Sequence, residues 1–161
     1  MRLPVAVVAL LAITAGAAAD PVFIDQLMEM PLESLQQQFP KLRNDGCYQI
    51  GPDRFLRIEV DRKERKPSRI SLSSDAPCRR PEEGPALEVR ERTGIDLGAA
   101  TLTVLEKMGR PDASAAPEGA FKRFGETEYF YICRTSEGCA RHTSVFVRNG
   151  LVSAISSWYS E

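Results

Sequence analysis

An Asn-Gly pair near the C-terminus constrains the fold of this chain more than any other feature of its sequence. Asn149 and Gly150 separate two runs rich in apolar and β-branched residues, 139–148 and 151–158. This dipeptide is the strongest short-range signal for a two-residue β-hairpin. A third run, 124–133, lies upstream, beyond a five-residue loop between two cysteines. The pattern predicts a three-stranded antiparallel meander over residues 124–158.

A second group of strands is predicted in the first half of the chain. Leu56, Ile58 and Val60 alternate with charged residues, which is typical of a strand with one face in water. Pro40 ends an apolar pattern with helical spacing. The elements predicted here are a helix over 32–39 and strands over 47–50, 55–61 and 69–74.

These patterns indicate an α+β fold made of two tandem units, each with a helix on one face of a small antiparallel sheet. The first unit spans 20–78, and the second spans 94–161 and begins with a helix that ends at Gly109. Residues 79–93 are rich in Pro, Glu and Arg and are interpreted as a linker. Residues 70–74 resemble residues 154–157, which favours an internal repeat.

The N-terminus has the three-part pattern of a secretory signal peptide. Arg2 precedes an apolar run over 3–13, and small residues end at Ala19. We expect cleavage after Ala19 and a periplasmic or secreted protein of 142 residues. The apolar run is shorter than a membrane-spanning helix requires, and no cysteine near the cleavage site indicates a lipid anchor.

The cysteines agree with this compartment. Cys47, Cys78, Cys133 and Cys139 form an even set, which indicates two disulfides in an oxidising environment. Of the three possible connectivities, we favour Cys133–Cys139, because cysteines on neighbouring strands at a loop mouth can reach disulfide distance. Cys47–Cys78 then follows by elimination.

Charge and ligand patterns argue against several functional classes. Without Arg2 the chain has 20 basic and 22 acidic residues, a net charge of −2, which disfavours nucleic-acid binding. The single histidine and the absence of C-x-x-C spacing disfavour a metal site. We expect no cofactor, no metal and no enzymatic activity.

A resemblance to a known family is carried by the last 65 or so residues. The motif residues are Leu97-Gly98, Val104, Met108-Gly109-Arg110-Pro111, the aromatic stretch 129–131 and the hairpin 145–152. They resemble the motif set of the SmpA/OmlA (BamE) family, in which a helix ending in Leu-Gly-x-Pro precedes an aromatic strand and a hairpin. The tandem arrangement is similar to that of the β-lactamase inhibitor protein. The resemblance implies a fold and little about function.

Three departures from the family pattern are visible. Ala100 stands where a capping Ser or Thr is usual, and Met108 replaces a Leu. The lipid-carrying cysteine of the outer-membrane assembly lipoproteins is missing, which argues against a role in that assembly.

Strand alternation predicts a binding face on the meander. If residue 133 faces 139 and 147 faces 152, the two sides of the sheet differ in composition. One side, expected in the core, contains Phe130, Ile132, Ala140, Phe146, Leu151 and Ile155. The opposite side contains Tyr129, Tyr131, Arg141, Thr143, Val145, Val147, Val152 and Trp158. A single bulge would exchange the sides along part of a strand.

Tyr129, Tyr131, Arg141 and Trp158 have the composition of a protein-binding hot spot, although the other unit or an N-terminal segment could equally cover them. The sequence therefore predicts a module that binds another periplasmic or secreted protein, as an inhibitor or immunity-type neutraliser. One alternative is a factor for cell-envelope assembly or maintenance. Another is a small hydrolase that uses His142, although no catalytic motif accompanies this residue.

Overall fold

The structure, a computed structural model, describes residues 20–132 and 141–159. The helices are α1 (Ile24–Glu29), α2 (Leu32–Gln38) and α3 (Thr101–Met108), with a 3₁₀ helix over Gly119–Arg123. The strands are β1 (Val22–Phe23), β2 (Asp45–Gly51), β3 (Arg54–Asp61), β4 (Lys66–Ser73), β5 (Glu82–Glu83), β6 (Val89–Arg90), β7 (Ala113–Ala115), β8 (Thr127–Ile132), β9 (Arg141–Arg148) and β10 (Leu151–Tyr159). The predicted mixture of helices and antiparallel strands is confirmed.

One eight-stranded sheet dominates the fold, in the order β5-β2-β3-β4-β10-β9-β8-β7. Strands β2 to β4 form one antiparallel meander and β8 to β10 form another. The two meanders are joined along β4 and β10, which pair antiparallel. The strands of the two predicted units therefore belong to a single sheet, where the sequence indicated a small sheet in each unit.

The seam between β4 and β10 accounts for one of the sequence echoes. Ile155 lies opposite Leu72, and Ser156 lies opposite Ser71, at the centre of this pairing. The hydroxyl oxygens of Ser71 and Ser156 are 2.9 Å apart, within hydrogen-bond distance. The similar segments are thus strand partners, each with apolar residues on one face and serines on the other.

All three α-helices lie on the same face of the sheet. Their buried residues join the strands in one apolar cluster, which includes Leu27, Leu35, Val104, Leu56, Leu72, Val145 and Ile155. Successive side chains of a strand point to opposite faces. Leu72 and Ile155 therefore mark the helix-covered face, and Ser71 and Ser156 mark the opposite one.

The predicted hairpin is confirmed and also positions α3. Asn149 and Gly150 have φ angles of 52° and 76°, as a type I′ turn requires. Ala100, the N-cap residue of α3, makes no capping hydrogen bond through its side chain. Instead, the backbone N–H and the hydroxyl of Thr101 each donate to the Gly150 carbonyl at 3.0 Å. The start of the helix is held by the turn.

The register of the second meander differs from the prediction in two places. Tyr131 pairs with Thr143, two residues beyond the expected Arg141. Val147 pairs with Val152 as predicted, but the register then shifts at a bulge between Val152 and Ala154. The prediction assumed a strand without a bulge. Beyond the bulge, each residue of β10 therefore lies on the face opposite to the one expected from Val152.

The predicted Cys47–Cys78 disulfide is confirmed and closes a sequence separation of 31 residues. The predicted Cys133–Cys139 bridge lies outside the described residues. The segment interpreted as a linker contains β5, which extends the edge of the large sheet, and β6, which pairs with β1. In the part of the chain that the structure describes, no helix is long and apolar enough to span a membrane.

Candidate binding face

The sheet face opposite the helices is the candidate site, and we call it the open face. Its central strands β4, β10, β9 and β8 contribute Arg69, Ser71, Ser156, Trp158, His142, Ser144 and Phe130. Strand alternation places all of these side chains away from the helix-covered core. The face combines residues from both halves of the chain, because the seam brings β4 beside β10.

An aromatic stack occupies the middle of the open face. The ring centroids of Phe130 and His142 are 5.2 Å apart, and those of Phe130 and Trp158 are 5.8 Å apart. His142 and Trp158 are register partners, and their ring centroids are 5.7 Å apart. Such ring separations are favourable beyond simple area burial. We call these three residues the ring stack.

Arg69 extends the ring stack across the seam. It lies opposite Trp158 in the register, and its guanidinium carbon is 4.9 Å from the centroid of the Trp158 ring. The same carbon is 4.8 Å from the centroid of Phe121, in the 3₁₀ helix. The guanidinium therefore contacts two aromatic rings, an arrangement that cation–π attraction stabilises.

A layer of short polar side chains lies beside the ring stack. Ser71, Ser144 and Ser156 have at most 2% of their surface exposed, although no α-helix covers them. Ser144 donates a hydrogen bond to the Glu128 carboxylate, while Ser71 and Ser156 bond each other. Because these side chains are short and paired, larger neighbours can lie over them at little desolvation cost.

Two segments cover one end of the open face. Cys47 alternates with the buried Tyr48, so the Cys47–Cys78 disulfide holds residues 74–80 on this side of the sheet. The 3₁₀ helix packs beside it, where Phe121 and Phe124 contact Phe146. Among the described residues, the three rings of the stack remain partly exposed.

A groove of about 340 Å³ opens at the boundary between the covered and uncovered parts. Its walls include Arg69, Phe121, Phe146, Trp158, Glu118 and Glu128. It therefore combines three aromatic rings with groups of both charges. At the other end of the stack, Ile132 is 44% exposed.

The predicted site residues do not share a face. Tyr129 and Tyr131 contact the helix-covered core, and Tyr131 is only 7% exposed. Burial, with the nearby charges of Tyr129 and Asp112, raises the pKa of Tyr131, whose hydroxyl donates to the Gly109 carbonyl at 3.3 Å. Arg141 lies on the same side and pairs with Asp25 at 3.5 Å. Trp158 alone is on the open face.

The predicted core assignments change for the same reason. Phe130, Ile132 and Phe146 lie on the face away from the helices, whereas Thr143, Val145, Val147 and Val152 lie in or beside the helix-covered core. Ile155 is in the core as predicted, Leu151 is 49% exposed, and Ala140 is outside the described residues. The helices pack against the Tyr129 side, and the bulge transfers Trp158 away from it. Whether Tyr129, Tyr131 or Arg141 contacts a partner stays a prediction.

A second cavity, of about 610 Å³, lies on the helix-covered side near the end of α3. Its charged lining residues are Glu91, Lys107, Arg110, Asp112 and Arg141. Lys107 donates to the Gly94 carbonyl at 3.0 Å, Arg141 pairs with Asp25, and Glu91 accepts from the Thr93 N–H at 2.5 Å. These partners are internal, so the groups already have structural roles.

His142 has the surroundings of a packed aromatic residue. Its Nδ1 atom is buried and has no hydrogen-bond partner among the described residues. A catalytic histidine is normally oriented by such a partner. The described residues also contain no group of three His, Cys, Asp or Glu side chains that could hold a metal ion.

Sequence reasoning missed Arg69, Phe121 and Glu128. Ile70 and Leu72 are buried in the core, so strand alternation places the Arg69 side chain on the opposite face. No local signal indicates that β4 and β10 are neighbours, which is what brings Arg69 to Trp158.

In comparisons with known proteins, no family model matches the chain, and no curated protein or solved structure matches it either. The resemblance to the SmpA/OmlA (BamE) family thus depends on the motif residues quoted above.

Proposed function

We propose that this protein binds another protein of the periplasm or the extracellular space through its open face, as an inhibitor or immunity-type neutraliser. The observation that carries the proposal is the one-sided packing of the sheet. α1, α2 and α3 bury one face, while the ring stack and Arg69 lie on the other. Aromatic residues and arginine are the residue types that most often dominate protein–protein binding energy.

The open face has the rigidity that a recognition surface needs. Each ring of the stack is on a central strand, and those strands are paired on both sides. The Cys47–Cys78 disulfide ties the segment over the other end of the face to β2. Side chains held in this way lose little conformational freedom on binding, so more of the contact energy contributes to affinity.

The architecture supports a tandem arrangement of two BamE-like units. In each half a helix precedes a three-stranded meander, α2 before β2 to β4 and α3 before β8 to β10. The two meanders extend in opposite directions from the seam. We propose that these are the two related units, fused through β4 and β10 into one recognition surface.

The disulfide and the N-terminal sequence support a location outside the cytoplasm. Disulfides persist in oxidising compartments such as the periplasm. The pattern of Arg2, an apolar run and Ala17-Ala18-Ala19 supports cleavage after Ala19. A partner in that compartment is therefore accessible to the open face.

Site-specific photo-crosslinking tests the proposal. A photo-reactive residue at Ile132, which is 44% exposed beside the ring stack, should form an adduct with a discrete protein. The matched control is Leu102, which is 66% exposed on α3 and lies on the other side of the molecule. Mass spectrometry of the adducts identifies the partner. Equal labelling from both positions would contradict binding through the open face.

The purified partner then provides a quantitative test. Trp158→Ala should weaken binding by about 30-fold, or ~2 kcal/mol, as expected for a central aromatic hot spot. Leu102→Ala should leave the Kd within a factor of about two. Circular dichroism confirms that each variant is folded. A Trp158→Ala protein that is folded and binds normally would overturn the proposal.

A further inference from the structure

Unlike Arg54 and Arg65, Arg69 forms no ion pair with a carboxylate. Arg54 pairs with Asp96 at 2.9 Å, and Arg65 pairs with Glu33 at 2.5 Å. The Arg69 side chain has no ion pair and no hydrogen bond to any described residue, and its Nε atom is buried without a partner. An unpaired and partly desolvated cation is unfavourable in the free protein.

Two of the acidic residues near Arg69 already have other interactions. Glu59, its cross-strand neighbour on β3, binds Arg57 at 3.0 Å. Glu128 accepts a hydrogen bond from Ser144, and Glu118 is exposed to water. Arg69 is the one cation among the described residues that line the groove beside Trp158, and its side chain has neither an ionic partner nor a hydrogen bond.

The contacts of Arg69 also determine where a ligand can bind. The Phe121 and Trp158 rings lie 4.8 and 4.9 Å from the guanidinium carbon, so the cation lies over both rings. Guanidinium N–H bonds lie in the plane of the group and fit a carboxylate through two parallel hydrogen bonds. The adjoining groove of about 340 Å³ has room for one side chain.

On this basis, and resting on the proposed function, we infer that the open face recognises an acidic side chain of its protein partner through the guanidinium of Arg69. The partner presents a single Asp or Glu carboxylate at the groove, with apolar atoms against Trp158 and Phe121. Glu118 and Glu128, which line the same groove, disfavour a more highly charged group such as a phosphate.

A random peptide library displayed on phage is a suitable probe, because it needs no knowledge of the natural partner. The wild-type protein is the target, and Arg69→Gln protein is used for counter-selection. Enriched peptides should contain an Asp or Glu whose replacement by Asn or Gln weakens binding at least about 10-fold, the size of a charge-assisted bidentate contact. Enrichment of basic peptides, of peptides that bind without a carboxylate, or of none at all would overturn the inference.

Variants of the protein define the contact further. Arg69→Lys keeps the charge but loses the planar pair of donors, so it should bind the selected peptides about as weakly as Arg69→Gln. The matched control is Arg57→Gln, whose guanidinium is already paired with Glu59. Thermal unfolding shows whether each variant is folded. Equal losses for the Arg57 and Arg69 variants would show a general charge effect and contradict a specific receptor.

The inference and the proposed function can fail separately. With the partner identified by crosslinking, weaker binding of Trp158→Ala but not of Arg69→Gln would keep the proposed function and reject the inference. Unchanged binding of both variants would reject both. A non-additive loss when Arg69→Gln is combined with an Asp→Asn or Glu→Gln change in the partner would confirm the direct contact.

Discussion

At the scale of single residues, the open face depends on pairs that are adjacent in space and distant in sequence. Ser71 and Ser156 are separated by 85 positions and yet bond each other through their hydroxyls. Arg69 and Trp158 are register partners across the same seam. Each serine keeps its polar atom paired, so the rings beside it are not destabilised by an unsatisfied group.

The stack also contains one unsatisfied atom, which leads to a stability prediction. His142→Phe keeps a ring between Phe130 and Trp158 and removes the buried, unpaired Nδ1. We expect the free energy of unfolding to rise by about 1 kcal/mol, because a buried unsatisfied polar atom costs roughly that much. Urea denaturation of the variant and the wild type measures the difference.

His142→Ala is the control for this prediction, because it removes both the nitrogen and the ring contacts. That variant should be less stable than the wild type. If His142→Phe is instead destabilised to the same extent, the Nδ1 atom has a partner or role that the packing does not show.

Residue chemistry could be predicted only in part. The sequence predicts Trp158 to be a recognition residue; the structure places it on the open face, and its role stays a prediction. Tyr131 has the same aromatic character but is 7% exposed under the helices. Composition does not distinguish the two residues, because only the contacts of the folded chain determine which side of the sheet the helices cover.

At the scale of secondary-structure elements, a single bulge decides which residues can form a site. It lies at Ser153, whose hydroxyl donates to the Phe124 carbonyl and has the Phe146 carbonyl oxygen at 3.2 Å. These contacts hold the extra residue of β10 in place. Beyond it, Ile155 enters the core and Trp158 turns to the open face. A serine between two apolar residues carries no local signal for such a bulge, so the face exchange could not be predicted.

Elements with a strong local sequence pattern agree with the prediction. The helix α2, the strands β2 to β4 and the Asn149-Gly150 hairpin each follow from spacing or turn chemistry. The short strands β5, β6 and β7 did not, because each depends on a partner strand and has no apolar alternation of its own.

The Cys47–Cys78 disulfide gives a prediction at this scale. A protein with both cysteines replaced by alanine should lose about 3 to 4 kcal/mol of stability, which is the chain-entropy estimate for a loop of this size. Its sequence separation is 31 residues. Urea denaturation of the double variant checks the value.

The double variant leaves Cys133 and Cys139 unchanged, so it isolates this bridge from a general effect of reducing agents. A loss below about 1 kcal/mol would show that the residues next to the bridge are held by their other contacts.

At the scale of the whole molecule, two tyrosines make stability depend on alkaline pH. Burial and the negative charge of Glu82 raise the pKa of Tyr48 to about 12. Burial, with the hydrogen bond to Glu29 and its charge, raises the pKa of Tyr159 to about 12. The usual tyrosine pKa is about 10. Between about pH 10 and pH 12 the unfolded chain therefore binds fewer protons than the folded one, and stability should fall as pH rises.

Thermal unfolding between pH 8 and pH 12 tests this dependence. Tyr159→Phe should be less stable than the wild type near pH 8, because it lacks the hydrogen bond to Glu29. The two unfolding midpoints should converge as pH rises to 12, because only the wild type loses the contribution of this tyrosine. A constant difference across the range would contradict the raised pKa of Tyr159.

The overall architecture could not be predicted from local patterns alone. Two meanders and two preceding helices were expected, but their union into one sheet depends on the pairing of β4 with β10. Each of those strands has serines on one face and apolar residues on the other, which makes them suitable neighbours in either one sheet or two. Whether β4 and β10 pair in one sheet is determined by the tertiary packing of the complete core.

The location of Trp158 makes its fluorescence a probe of the packing of this protein. It is the single tryptophan of the chain, and its ring lies between a cation from β4 and the rings of β8 and β9. Separation of the two halves would expose the indole to water and shift its fluorescence emission to longer wavelengths. A bound partner would exclude water from the same indole and shift the emission the other way. The fluorescence of this one tryptophan therefore reports both the separation of the two meanders and the binding of a partner.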